Sequence, residues 1–439
     1  MTRKATKWFC GTLAAMLLLV CVPFASAIEA APEVAADNVM MASVNTGAII
    51  YEKNADERIY PASTTKLMTM AVAIELIPDL KATMTFDKEA AYADLVIGSS
   101  NMGLKDEEVI VLEDLMYGIA ISSANEATNA IAIHLCGSLE AFVAKMNEQA
   151  AAWGMTGTHF VNTHGLTDEN HYTTARDMML LAQKVFADER LLPYLSAGSY
   201  QLPATNKNEA RTIISTNQLI RMNSGNYYKY AVAGKTGSTT AAGYNLISTA
   251  KYKGMEYICL MMNASYETKP NPVFADSISM YKWAFNNFGI QTLLTESTSV
   301  CEIPVALCAK SDYVMLVPEG EIKAVVADDV DIASFERVIH TEYNAENPAL
   351  APIAVGDVLG TVSLVKDGVE YGSVNLVAST ALERSTILYY INLIRTFFSN
   401  TIVRIVTIIL ILAIIAYIIF MIWQNNQRRR RKIARRIRF

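Results

Sequence analysis

The chain has 439 residues, 52% of them hydrophobic, and a formal net charge of -6, enough apolar material for a sizeable core and incompatible with a disordered chain. Twelve of the 37 basic residues crowd the two ends, leaving 25 against 43 acidic residues between positions 28 and 400, about -18, a balance unsuited to nucleic acid. Past the first 27 residues only Cys136, Cys259, Cys301 and Cys308 occur, too few for a disulfide framework and without metal-ligand spacing.

Arg3, Lys4 and Lys7 precede an apolar run from Leu13 to Phe24 and then Ala25-Ser26-Ala27. That order predicts a secretory signal peptide over 1–27, cleaved after Ala27. Lipidation at Cys21 is disfavoured by the branched residues Leu18-Leu19-Val20 before it.

From Val39 to Lys53 two short strands meet at Asn45-Thr46-Gly47, a hairpin pattern. Helical periodicity follows over Thr64–Leu76, Leu112–Ile119, Asn125–Leu135, Leu139–Trp153 and Thr174–Phe186. Tyr230–Met262 reads as strands punctuated by Gly234, Gly237, Gly243 and Gly254, and Pro272–Phe288 as a last helix. Helices enclosed between an early hairpin and late strands predict an α+β domain over 32–292, with a mainly antiparallel sheet completed by both ends of the domain.

Residues 298–380 read as a small all-β domain, with alternating segments joined at Lys366-Asp367-Gly368. Cys301 and Cys308 would bridge there only if they faced each other in a hairpin. Residues 382–404 carry aromatic and apolar side chains at helical spacing, the pattern of a helix on a membrane surface, with a plain linker as the competing reading. Ile405–Trp423 is 19 residues without a charge, a transmembrane helix, and eight basic residues from Arg428 to Arg438 form the tail, 424–439. The positive-inside rule keeps that tail in the cytoplasm and the rest outside.

Chemistry concentrates in three places. Ser63 opens an apolar-periodic segment and Lys66 lies one turn on, on the same face. A serine hydroxyl needs a base, and a lysine supplies one if burial or a neighbouring cation lowers its pKa. A helix start adds backbone N–H groups near an anionic intermediate. The purely structural reading makes Ser63 a cap and Lys66 a solvated side chain. A decoy with the same spacing, Ser248 to Lys251, lies in a strand-like stretch where residues three apart face opposite ways.

Ser123-Ala124-Asn125 is the second element, selected from other S-x-N occurrences because it joins two helical runs; its structural reading is helix capping. The third is Lys235-Thr236-Gly237 with Ser238, on a strand. A lysine and hydroxyl there can hold a carboxylate, and Gly237 would let a substrate backbone lie alongside as an added strand. His159, His164 and His171 fall within thirteen positions. In an irregular loop without H-E-x-x-H they are expected to make internal hydrogen bonds rather than bind a metal.

In that order the three elements form the motif set of penicillin-binding proteins and class A β-lactamases. The chain resembles the low-molecular-mass penicillin-binding proteins of the D-alanyl-D-alanine carboxypeptidase family, in NTGAIIYEKNADERIYPASTTKLMT, SSANEATNAIA, THFVNTHGLTDENHYTTARDM and AGKTGSTTAAGYNL. The resemblance implies that Ser63 attacks the D-Ala-D-Ala carbonyl and Lys66 takes its proton. It implies further that Ser123 and Lys235 pass a proton to the departing D-alanine, that Asn125 orients the substrate amide and that Thr236 holds the terminal carboxylate. The Ser63 and Ser238 N–H groups would form the oxyanion hole. Peptidoglycan stem peptides and β-lactams are the implied ligands, and no cofactor is implied. The competing functions are a β-lactamase, which in class A needs a water-activating glutamate, with carboxylates on offer at Asp168 and Glu169, and a silent wall-binding scaffold.

Overall fold

A computed structural model describes residues 29–436, so the expected signal peptide lies outside the described residues. The chain divides into two compact units. One runs to Gln291 and takes in Lys323–Ser334; the other holds Thr292–Ile322 and the chain from Phe335 onward. Residues 323–334 thus cluster with the first unit although they fall inside the sequence span of the β domain.

The first unit is built on a five-stranded sheet of β1 (Ala36–Ser43), β2 (Ile49–Lys53), β3 (Ala231–Thr239), β4 (Gly243–Tyr252) and β5 (Met255–Ala264). Its order is β2-β1-β5-β4-β3 and every neighbouring pair is antiparallel. The early hairpin therefore joins the late strands, as the element order predicts, and β3 is left at an edge. Both faces are covered. Met40, Ala42, Ile258, Leu260 and Met262 belong to one apolar cluster, while the alternate residues Val39, Met41, Tyr257, Cys259 and Met261 belong to another. A sheet buried on both faces explains why these strands are apolar at almost every position rather than at every second one.

Helix α1 (Lys66–Leu76) is buried from Lys66 to Ile74. An α-helix apolar all round must run through the middle of its domain, and each of Leu67, Met68 and Met70, wholly buried, contributes about 1.5–3 kcal/mol. Around it stand α2 (Asn125–Cys136), α3 (Leu139–Ala152) and α4 (Ala175–Ala187). Ser138 and Thr174 start α3 and α4 by accepting the Ala141 and Asp177 N–H groups at 3.2 and 3.1 Å, caps worth about 1 kcal/mol each. Helix α5 (Val273–Asn287) packs Val273, Phe274, Met280 and Tyr281 into the second cluster.

The second unit carries a six-stranded sheet of β6 (Cys301–Ala306), β7 (Tyr313–Pro318), β8 (Glu336–His340), β9 (Ala349–Leu350), β10 (Val358–Lys366) and β11 (Val369–Ala378), in the order β8-β10-β11-β7-β6-β9. The β10–β11 turn places Asp367 and Gly368 at φ 52° and 79°, the left-handed pair that a tight hairpin requires. Cys301 opens β6 and Cys308 follows its end, so the two do not face each other, and both thiols are free. Helix α6 (Thr386–Ser399) is capped by Ser385, and α7 spans Thr401–Arg436. Within Thr401–Arg429 an 18-residue stretch has mean hydropathy 3.3, and the helix is long and apolar enough to cross a membrane.

Candidate active site

Ser63 lies in a 3-10 turn, Ala62–Thr65, that runs directly into α1. Neither that turn nor α1 has a side-chain cap, so the hydroxyl of Ser63 is not consumed in starting the helix. Ala62 has φ +48°, a left-handed conformation that costs a non-glycine residue roughly 1–2 kcal/mol. Gly165 holds it there: a Cβ at Gly165 would lie 1.8 Å from the Ala62 carbonyl oxygen, and its own φ is +87°. Strained backbone at the residue before Ser63 restricts where its hydroxyl points.

Lys66 Nζ, wholly buried, donates to Ser63 Oγ at 2.9 Å, Asn125 Oδ1 at 2.7 Å and the His164 carbonyl at 2.7 Å. Burial first, and then the neighbouring Lys235 charge, hold its pKa well below the ordinary lysine value, against an opposing pull from Glu126. This lowers the cost of taking a proton from Nζ; once it has left, two N–H groups remain for Asn125 and His164, and the lone pair can accept from the Ser63 hydroxyl.

Ser123 follows a five-residue π turn, Gly118–Ser122, and adopts φ +56°. Helix α2 begins behind it at an Ala124 N-cap with no side-chain bond. Capping therefore does not account for Ser123; its hydroxyl instead accepts from Lys235 Nζ at 3.0 Å. Lys235 reaches in from edge strand β3, also donates to the Thr236 carbonyl at 3.0 Å, and burial pushes it down to about 7. Three separate segments thus bring Ser63, Lys66, Ser123, Asn125 and Lys235 together around one point.

Thr236 and Ser238 lie on β3, Thr236 half-buried and Ser238 exposed. Gly237 serves a different purpose from the expected one. Its missing side chain faces the nucleophile turn, where a Cβ would meet Ser63 N at 2.9 Å, Thr64 N at 3.0 Å and Pro61 O at 3.1 Å. Glycine at this position lets β3 close onto the turn. Asn245 on β4 secures the same turn by donating to the Tyr60 and Pro61 carbonyls at 3.2 and 3.1 Å.

The three loop histidines are used internally. The Val161 N–H donates to His171 Nδ1 at 3.1 Å, so the other nitrogen donates to Thr65 Oγ1 at 2.8 Å, and burial pushes the imidazole down to about 3. His159 Nδ1 donates to the Asn170 carbonyl at 2.7 Å. His164 contacts Asp94 at 3.1 Å. Asp168 and Glu169 are exposed, and Asp168 accepts the Asn170 N–H at 2.8 Å within its own turn. In the decoy, Ser248 is buried 2.9 Å from the Tyr281 hydroxyl while Lys251 is exposed beside Glu256 at 3.5 Å, opposite faces as strand geometry requires.

Sequence reasoning missed Thr216. Its hydroxyl is 2.6 Å from that of Thr236, and its N–H donates to the Ile121 carbonyl at 3.1 Å. It bears no motif, and only the fold sets it beside β3.

Residues 25–266 match a protein-family model described as D-alanyl-D-alanine carboxypeptidase, and residues 302–384 match one described as penicillin-binding protein 5, C-terminal domain. The D-alanyl-D-alanine carboxypeptidase DacF of Bacillus subtilis is 30% identical over 76% of this chain and 82% of its own length. The D-alanyl-D-alanine carboxypeptidase DacA of Escherichia coli is 30% identical over 78% of this chain and 82% of its own. The crystal structure of penicillin binding protein 5 from Haemophilus influenzae aligns with TM-score 0.63 and 27% identity, over 81% of this chain and 100% of that one.

Proposed function

The chain belongs to the D-alanyl-D-alanine carboxypeptidase family, and on that premise we propose that Ser63 is the nucleophile with which it removes the terminal D-alanine from peptidoglycan stem peptides. The observation that carries this reading is the 2.9 Å hydrogen bond between Ser63 Oγ and a buried Lys66 whose pKa is strongly depressed.

Lys66 takes the Ser63 proton as Oγ bonds to the penultimate D-alanine carbonyl carbon, giving a tetrahedral oxyanion that faces the Ser63 and Ser238 N–H groups. The C–N bond to the last D-alanine then breaks, and its nitrogen receives the proton that Lys66 took, relayed through Ser123, which Lys235 holds, so that Lys66 is a free amine again. Asn125 holds Lys66 and orients the substrate amide. Thr236 and Lys235 receive the terminal carboxylate. Water cleaves the resulting ester on Ser63, with Lys66 again as base, and frees the shortened peptide.

A β-lactam presents a strained amide and a carboxylate in the same relation and acylates the same hydroxyl. The exposed positions of Asp168 and Glu169 favour a carboxypeptidase over a class A lactamase, whose glutamate must hold a water at the ester. The catalytic unit lies outside the membrane, tethered through α7 with the Arg428–Arg438 tail inside.

The test is mass spectrometry of the protein with a penicillin, beside D-alanine release from a D-Ala-D-Ala pentapeptide, for wild type and Ser63→Ala. An adduct and D-alanine release that both vanish in the variant support the reading. Rapid penicillin turnover without D-alanine release would make the chain a lactamase, and neither acylation nor release would make it a scaffold.

A further inference from the structure

We propose that Asp94 and His164 form a positioning pair, in which Asp94, together with the Leu166 N–H, selects the ring nitrogen of His164 that carries the proton and so holds in place the carbonyl that Lys66 leans on. The proposal rests on the roles given above to Ser63 and Lys66.

The His164 side chain is 2% exposed. Its Nδ1 accepts the Leu166 N–H at 3.1 Å, which requires a lone pair there; Nε2 therefore carries the hydrogen, and donates it to Asp94 Oδ2 at 3.1 Å. In the other tautomer two donors would confront each other at Nδ1 while the Nε2 lone pair faced a carboxylate. Burial pushes the imidazole pKa below its usual value although Asp94 pulls it up, so the ring is a neutral donor and the contact is not a simple ion pair.

The tautomer matters because of what residues 163–166 support. The His164 carbonyl is one of three acceptors of Lys66 Nζ, and Gly165 presses on the Ala62 carbonyl next to Ser63. The same short segment thus steadies both base and nucleophile. Asp94 Oδ1 accepts from Asn129 Nδ2 at 2.7 Å, and Asn129 Oδ1 accepts from Thr163 Oγ1 at 2.6 Å. Asp94 grips the segment twice, once through His164 and once through Asn129. A carboxylate can accept from both donors; an asparagine offers one acceptor and turns an N–H toward the other.

The experiment uses full-length protein in detergent micelles, labelled with ¹⁵N in histidine, as wild type, Asp94→Asn, Asp94→Glu and His164→Gln, the last to identify the resonance. Three quantities are read: the ¹⁵N shifts of the His164 ring, the rate constant for acylation at saturating penicillin, and the melting temperature. Asp94 is 41% exposed, so its two variants leave the core intact. Asp94→Asn is expected to move His164 from the Nε2–H tautomer and to slow acylation about tenfold, the scale of a sub-ångström misplacement of a reacting group, at unchanged penicillin affinity and melting temperature. Asp94→Glu should restore the tautomer and most of the rate. Wild-type acylation rates in Asp94→Asn, or slowed acylation with the tautomer unmoved, overturn the proposal. If wild type itself takes up no acyl group, the Ser63 reading fails and the pair falls with it.

Discussion

Lys235 Nζ and Ser123 Oγ are 3.0 Å apart, both residues buried, and burial alone brings the lysine down to about 7. The lysine proposed to receive the substrate carboxylate is thus held near its own titration point. Above pH 7 the charged fraction of Lys235 in the free enzyme falls toward tenfold per unit, so kcat/KM for a D-Ala-D-Ala peptide should fall with it, chiefly through KM. A pH series of initial rates reads this directly. A flat KM between pH 7 and 9 would separate Lys235 from carboxylate binding.

The same burial carries a stability cost with a definite sign. Unfolded, Lys235 keeps its proton to about 10.4, whereas folded it loses it near 7. Between those values the unfolded chain binds one more proton, so this lysine makes stability rise with pH, by roughly 1.4 kcal/mol per unit, and below pH 7 the full cost applies. Lys235→Met removes the cost together with two hydrogen bonds. Its stability relative to wild type should be greatest near pH 6 and decline steadily toward pH 10, as read by thermal or denaturant unfolding across that range.

Gly165→Ala tests the contact beneath the nucleophile. The added Cβ meets the Ala62 carbonyl at 1.8 Å on a residue with φ +87°, so neither the turn nor the loop can absorb it without moving. Destabilisation of about 1–3 kcal/mol is expected, together with a fall of about a hundredfold in acylation, because a displacement of about 1 Å at Ser63 is enough to produce it. Acylation at the wild-type rate would mean that Ala62 does not need this support.

What could be read without coordinates was whatever depends on near neighbours in the chain. The one-turn spacing of Ser63 and Lys66, the junction at Ser123 and the strand bearing Lys235 are local patterns, and each lies where periodicity predicts it. Contacts made by distant segments carried no such signal. His164 meets Lys66 from 98 residues away and Asp94 from 70, and nothing in the composition of either stretch marks the meeting. Gly237 was legible as a special position but not its reason, because the turn that fills the space beside it comes from the far end of the domain.

Thr216 is the residue that only the fold reveals at the carboxylate end of the site. Its hydroxyl is 2.6 Å from that of Thr236, so it orients the hydroxyl proposed above to receive the carboxylate. Thr216→Val keeps the shape and removes the hydroxyl. A rise in KM of about three- to tenfold with little change in kcat is expected, the worth of one net hydrogen bond between neutral groups. An equal loss in kcat with KM unchanged would instead assign Thr216 to the transition state.

The anchor yields a prediction with two parts, because α6 and α7 differ in what they can do. Thr401–Arg429 is 29 residues, about 43 Å of helix, longer than the ~30 Å hydrocarbon layer. Carbonate washing should therefore leave the full-length chain in the membrane pellet. Helix α6 is only 14 residues, too short to span, yet Ile387, Ile391, Ile394 and Phe398 are all exposed along it. A chain ending at Asn400 keeps α6 alone and should bind membranes weakly, coming off in carbonate while sedimenting partly with vesicles in neutral buffer. A chain ending at Arg384 should stay in the supernatant in both. If the two truncations behave alike, α6 is a linker and α7 carries the whole attachment.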